Sequence, residues 1–138
     1  MTDFNATIID EFRSNGGHVE TAGFGDNLLI LHTVGAKSGK VREVPLFALP
    51  DGDAWLVVGS AAGSPKDPAW VHNLRAHPRI DVEKPGDGGV ETVSVAVSEV
   101  GADEWAQTWE QFTTASSGFK EYEKTAEGRR FPIFRLVP

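Results

Sequence analysis

Eight consecutive residues, Gly35-Ala36-Lys37-Ser38-Gly39-Lys40-Val41-Arg42, place three cations within six positions and contain no acid. The two glycines allow a tight turn that aims backbone N–H groups outward. Outward N–H groups, the Ser38 hydroxyl and fixed cations together make a cradle for an anion. The stretch differs from a P-loop, which needs Gly-Lys-Ser/Thr in that order and a helix after it. A solvated basic turn is the plainer reading of the same composition, and taken alone the residues leave both open.

Two further stretches carry candidate chemistry. Gly59-Ser60-Ala61-Ala62-Gly63-Ser64 is a run of small residues that lets a flat ring approach the backbone, and Pro68-Ala69-Trp70 then opens a helix. A helix N-terminus favours negative charge, and Trp70 on its first turn offers a wall for a ring or, more plainly, packs in the core. Asn73 suits orienting a loop or touching a ligand, or more plainly a cap or a surface amide. Tyr122 is the only tyrosine, in Phe119-Lys120-Glu121-Tyr122. Its phenol can donate a hydrogen bond or proton to a reacting group, or simply tie down a loop.

Other chemistries lack their patterns. The chain has no cysteine, which excludes disulfides, thiolate nucleophiles and zinc-thiolate sites. His18, His32, His72 and His77 show no metal-binding spacing, so no catalytic metal is expected. There is no Gly-x-Ser-x-Gly elbow, and Gly23-Phe24-Gly25 lacks the third glycine of a dinucleotide fingerprint. A net charge of -7 opposes general nucleic-acid binding and makes a local basic cluster stand out. No signal peptide or membrane-spanning run is visible, and a cytoplasmic location is expected.

The elements that must position these groups follow from periodicity. Residues 3–14 read as an amphipathic helix, with Phe4, Ile8, Ile9 and Phe12 at helical spacing on one face. Strands are expected at Leu28 to Val34, Val41 to Leu49, Ala54 to Ser60, Arg79 to Glu83, Val90 to Val97 and Pro132 to Leu136. Pro45 marks an edge or a bulge, and Pro50-Asp51-Gly52-Asp53 a hairpin turn. A helix capped by Asp67 runs from Pro68 to about Ala76, and another opening at Asp103 carries Trp105, Trp109 and Phe112. A helical turn follows Phe119. Hairpin-joined strands dominate, which predicts a mainly β (α+β) chain: one domain over 1–138, an antiparallel six-stranded barrel with peripheral helices.

In order and spacing, these motifs resemble the deazaflavin (coenzyme F420)-dependent nitroreductase family. The resemblance runs through Ile9-Asp10-Glu11-Phe12-Arg13-Ser14-Asn15-Gly16-Gly17, the Gly-Ala-Lys-Ser-Gly-Lys stretch with Arg42 and Pro45-Leu46, and Gly59-Ser60 with Gly63. It continues with Pro68-x-Trp70-x-x-Asn73-Leu74-x-Ala76-x-Pro78, Tyr122 and Pro132-Ile133. It implies a split β-barrel of the FMN-binding type and hydride transfer from reduced F420 to a quinone, enone or nitroaromatic. It implies that Lys37, Ser38, Gly39 and Arg42 hold the cofactor's phosphate and acidic tail. Ser60, Ala61, Ala62 and Gly63 would form the loop beside the ring system, Ala69 and Trp70 would line the cofactor, and Phe119 and Tyr122 would face the substrate. Ala61 stands where some members carry a lysine, and Phe119 where some carry a second tyrosine. The alternatives are a non-catalytic F420 carrier and an FMN-dependent enzyme on the same barrel. The expected partner is a small electron acceptor, with peripheral membrane contact and either a monomer or a homodimer compatible with the sequence.

Overall fold

A computed structural model describes residues 4–21, 25–59, 68–86, 88–115, 119–122 and 131–138. The chain runs α1 (Phe4–Ser14), β1 (Leu28–Val34), β2 (Val41–Phe47), β3 (Leu49–Asp51), β4 (Ala54–Val58), α2 (Ala69–Ala76), β5 (Arg79–Gly86), β6 (Gly89–Glu99), α3 (Ala102–Ala115) and β7 (Ile133–Val137). The strands form one antiparallel sheet in the order β2-β1-β5-β6-β7-β4-β3.

The sheet has seven strands, not six. The expected strand from Val41 to Leu49 is broken at Ala48, so its two halves are separate strands. β2 pairs with β1, whereas β3 pairs with β4 at the opposite end of the order. Ala48 is buried, and its N–H donates to the Asn27 carbonyl at 2.7 Å, leaving both ladders at the bend. One residue thus joins the two edges of the sheet, and the sheet must curl. Pro45 lies on edge strand β2 opposite Ile30 in regular register, where a missing N–H costs no interior ladder bond.

Strand alternation sorts the apolar residues onto two faces. Leu29 and Leu31 of β1, Val57 of β4, Ile80 and Val82 of β5, Val95 of β6, and Phe134 and Leu136 of β7 share one core, with Val44 and Leu46 of β2 packed against it. Strands around the curl therefore contribute to a common inner face. Val93, Val95 and Val97 share this face as their spacing predicts. Each fully buried aliphatic side chain contributes about 1.5–3 kcal/mol by leaving water. α2 caps this core with Trp70, Val71 and Leu74.

Two clusters cover the outer face. α1 lays Ile8, Ile9 and Phe12 on Leu28 and Ile30 of β1. α3 lays Trp109 and Phe112 on Leu56, Val58 and Ile133, joined by Phe131. The Trp105 Nε1 donates to the Phe131 carbonyl at 2.6 Å, which ties α3 to the approach of β7. Among the described residues no helix is long and apolar enough to cross a membrane. The pairing of β5 with β6 continues to Gly86 opposite Gly89, past the end expected at Glu83.

Gly59 leaves β4 where α2 crosses. A Cβ there would lie 2.6 Å from the Val71 Cγ2. Gly59→Ala should therefore cost about 2 kcal/mol, measured as a lower urea midpoint, and adding Val71→Ala should cost less than the sum of the two single changes. Strict additivity would remove this contact from the account of the fold.

Candidate functional site

The basic stretch forms the turn between β1 and β2, at one end of the sheet. Its internal bonds run from Gly35 N–H to the Lys40 carbonyl (2.8 Å), from Gly39 N–H to the Gly35 carbonyl (2.9 Å) and from Lys40 N–H to the Ser38 Oγ (3.2 Å). Gly39 has φ +69° with nothing within 4 Å of a built Cβ, so the turn needs glycine there and open space lies beside it. The Lys37 and Ser38 N–H groups donate to no acceptor among the described residues. Two successive N–H groups without an internal acceptor, beside a lysine, suit an anion. The Ser38 Oγ already accepts from Lys40, which leaves its hydrogen free to donate outward.

Arg42 pairs with the buried Thr33, whose Oγ1 donates to the Arg42 carbonyl at 3.3 Å. Alternation along β2 puts Arg42 on the same face as Val44 and Leu46, at the end of β2 next to the turn, and Arg42 is exposed there. Glu43 points to the other face. There the Arg13 guanidinium binds both Glu43 and Glu83, the latter at 2.6 and 2.9 Å. Glu43, the acid that follows Arg42 in sequence, is thereby drawn to Arg13, away from the basic turn.

His32 completes this outer network, its Nε2 lying 2.7 Å from the Glu83 Oε2. The ligand atoms of His32, Glu43 and Glu83 lie within 4.8 Å of one another, close enough to hold a metal ion. Sequence spacing gives no sign of this group, because its members come from β1, β2 and β5. Arg13 already supplies the positive charge between the carboxylates, so the arrangement acts as a latch that holds the end of α1 on the sheet. Hydrogen bonding from Arg13 holds the Glu83 carboxyl below its ordinary value against the opposing effect of burial, and His32 adds to the lowering. The same contacts, Glu83 foremost and then Glu43, raise Arg13.

α2 brings the other half of the site. Its N-cap is Pro68, which makes no side-chain cap bond, rather than Asp67 as expected; Asp67 lies outside the described residues. The first turn contains no acid, so the positive end of this helix is uncompensated within the helix. Ala69 is exposed at this end. Trp70 is 8% exposed and packs on Phe134 with ring centroids 6.0 Å apart, so most of its area belongs to the core. Asn73 reaches from α2 to the basic turn, its Oδ1 accepting the Ala36 N–H at 3.0 Å. Of the roles open to Asn73, orienting a loop is the one that gains a partner in the fold.

Ser60, Ala61, Ala62 and Gly63 lie outside the described residues. Phe119 and Tyr122 form the expected helical turn and join the outer aromatic cluster. Phe119 lies 5.6 Å from the Phe47 ring and 5.8 Å, edge-on, from Tyr122. Trp70 and Tyr122 are thus parts of different packed clusters, the first inside the curl and the second outside it.

The curled antiparallel sheet thus carries, at one end, a turn with three cations and two backbone N–H groups without internal acceptors, an arrangement whose chemistry suits an anion. The family model described as F420H(2)-dependent quinone reductase matches residues 6–138, and the chain belongs to that family. A quinone reductase of this description from Mycobacterium tuberculosis is 46% identical over 54 residues, 39% of this chain and 36% of the relative, so the match spans about a third of that protein. The solved structure of an F420-H2 dependent reductase superposes with a TM-score of 0.68 at 29% identity, over 80% of this chain and 93% of its own. A structure described as a domain-swapped dimer gives the same score and identity, over 80% of this chain and 79% of its own.

The latch carries a prediction. Glu83 is depressed in the folded state, so its contribution is present above the ordinary value of 4.5 and is lost as the pH falls through the lower folded value. Glu83→Gln should lower stability by about 1–3 kcal/mol at pH 7 and flatten the loss of stability on acidification. Thermal melts across that range check it; a variant that keeps the full acid dependence would exclude Glu83 as a source.

Proposed function

We propose that this protein is an F420H2-dependent oxidoreductase that reduces a quinone-class acceptor, on a split β-barrel of the FMN-binding type. The observation that carries the reading is the nest at Lys37 and Ser38, with Arg42 at the mouth of the curl, in a chain of this family. The cofactor joins a phosphodiester and several carboxylates to a deazaflavin ring. An acidic protein needs a local cationic patch to hold such a tail, and this turn supplies one.

The residues fit that group. The Lys37 and Ser38 N–H groups and the Ser38 hydroxyl bind phosphate oxygens, and Gly39 leaves the approach open. Arg42 offers a planar fork to phosphate or carboxylate, and Lys37 a point charge. The N-terminus of α2 adds a positive end near the ring, with Ala69 and Trp70 forming its wall. When bound, the reduced deazaflavin supplies the hydride. Phe119 gives the acceptor an apolar edge. The Tyr122 phenol donates a hydrogen bond to the acceptor oxygen as negative charge gathers there, a contribution of about 2–4 kcal/mol when preorganised. A homodimer is the assembly we favour, in line with the solved dimer of similar fold.

A titration of the purified protein with F420 and with FMN tests the cofactor. F420 should bind more tightly, and more weakly as salt rises. Lys37→Ala and Arg42→Ala should each weaken it about tenfold. Preference for FMN, or binding insensitive to salt, would overturn the assignment. For the reaction, Tyr122→Phe should lower kcat for quinone reduction about tenfold or more while leaving cofactor affinity near wild type. Unchanged turnover would take Tyr122 out of the mechanism, and tight binding with no oxidation by any quinone would make the protein a carrier.

A further inference from the structure

Asn73 is 8% exposed and sits three residues after Trp70 in α2. Its Oδ1 accepts the Ala36 N–H across 37 residues of sequence. The turn satisfies its Gly35, Gly39 and Lys40 N–H groups internally. The Ala36 N–H instead takes its acceptor from α2. That helix is itself fixed: Val71 and Leu74 are buried in the inner core, and Arg75 binds Glu99 of β6 through two contacts of 3.0 and 2.8 Å. The turn is therefore pinned to a rigid element, and the pin lies one position before the two outward N–H groups. A buried side-chain acceptor of this kind sets geometry as well as adding a bond.

We propose that Asn73 is a positioning residue. It holds the 35–40 turn with the Lys37 and Ser38 N–H groups presented, and it fixes the span between that nest and the helix carrying Trp70. The inference rests on the reading of the turn as the site of the cofactor's tail. It adds a basis for specificity: a ligand gains from the nest only if its anionic tail reaches that fixed distance from its ring. Preorganisation of this sort strengthens binding by lowering the cost of ordering the loop.

Asn73→Ala removes the acceptor, and Asn73→Asp keeps an oxygen at the same position. In ligand-free protein, hydrogen exchange at the Ala36 amide should quicken about tenfold in Asn73→Ala and stay near the wild-type rate in Asn73→Asp. Asn73→Ala should weaken F420 binding about tenfold, with kcat at saturating cofactor within about twofold of wild type. The deazaflavin riboside, which lacks phosphate and glutamates, should bind Asn73→Ala and wild type alike. Equal Ala36 exchange in all three proteins would overturn the proposal. An equal loss for riboside and full cofactor would also overturn it, assigning Asn73 to general packing under α2. Failure of the wild type to bind F420 would defeat the cofactor reading instead, and Ala36 exchange would still decide whether Asn73 holds the turn.

Discussion

Ala48 separates two strands that lie at opposite ends of the sheet order, and the rest of the structure follows from that constraint. Consecutive Cα atoms stand about 3.8 Å apart, so the edge at Phe47 and the edge at Leu49 cannot diverge. The sheet between them has to close toward itself, and its inward side chains then need only one helix, α2, to cap their common core. The hairpin turn at 35–40 falls at the mouth of that curl. Alternation along β2 then separates charges by face: Arg42 goes inward to the mouth, and Glu43 outward to Arg13. A basic site survives in an acidic protein because the strand pleat and the latch on α1 keep the neighbouring carboxylate elsewhere.

The sheet also divides these groups between its two faces. The anion nest, Arg42 and α2 belong to the inner side, whereas Phe119 and Tyr122 pack with α3 outside. The inner side supplies charge and backbone N–H groups. The outer side supplies rings and one phenol. The first is rigid by packing against the core, and the second depends on the aromatic stack running from Trp105 through Trp109.

Local signals were legible where local chemistry decides. The apolar run at Leu28 to Val34 became β1 with the same ends, and the glycines flanking Lys37 and Ser38 gave the turn between strands. The break at Ala48 was not legible, because alanine carries no turn preference and only the pairing of the two halves with different strands creates the bend. The hairpin of β5 and β6 outran its expected limits because pairing tolerated Pro85 opposite Val90. The latch was invisible for a different reason: Arg13 and Glu83 are 70 residues apart, and His32 and Glu83 51 apart, so only the sheet register brings them together. An asparagine at position 73 suits orienting a loop by its type alone, but its partner at Ala36 exists only because α2 packs across β1.

The placement of β7 has a consequence for how the protein forms. β7 inserts between β6 and β4, pairing Trp55 with Leu136 and Val97 with Leu136. Before it arrives, β4 has only the three-residue β3 beside it, and β6 has only β5. The first strands to leave the ribosome must therefore wait for the last before the curl can close. Contacts this distant in sequence carry a large loop-closure entropy, which slows folding. Until β7 docks, the ladder edges of β4 and β6 stay open to other chains, and the interval before closure is when this protein is most exposed to aggregation.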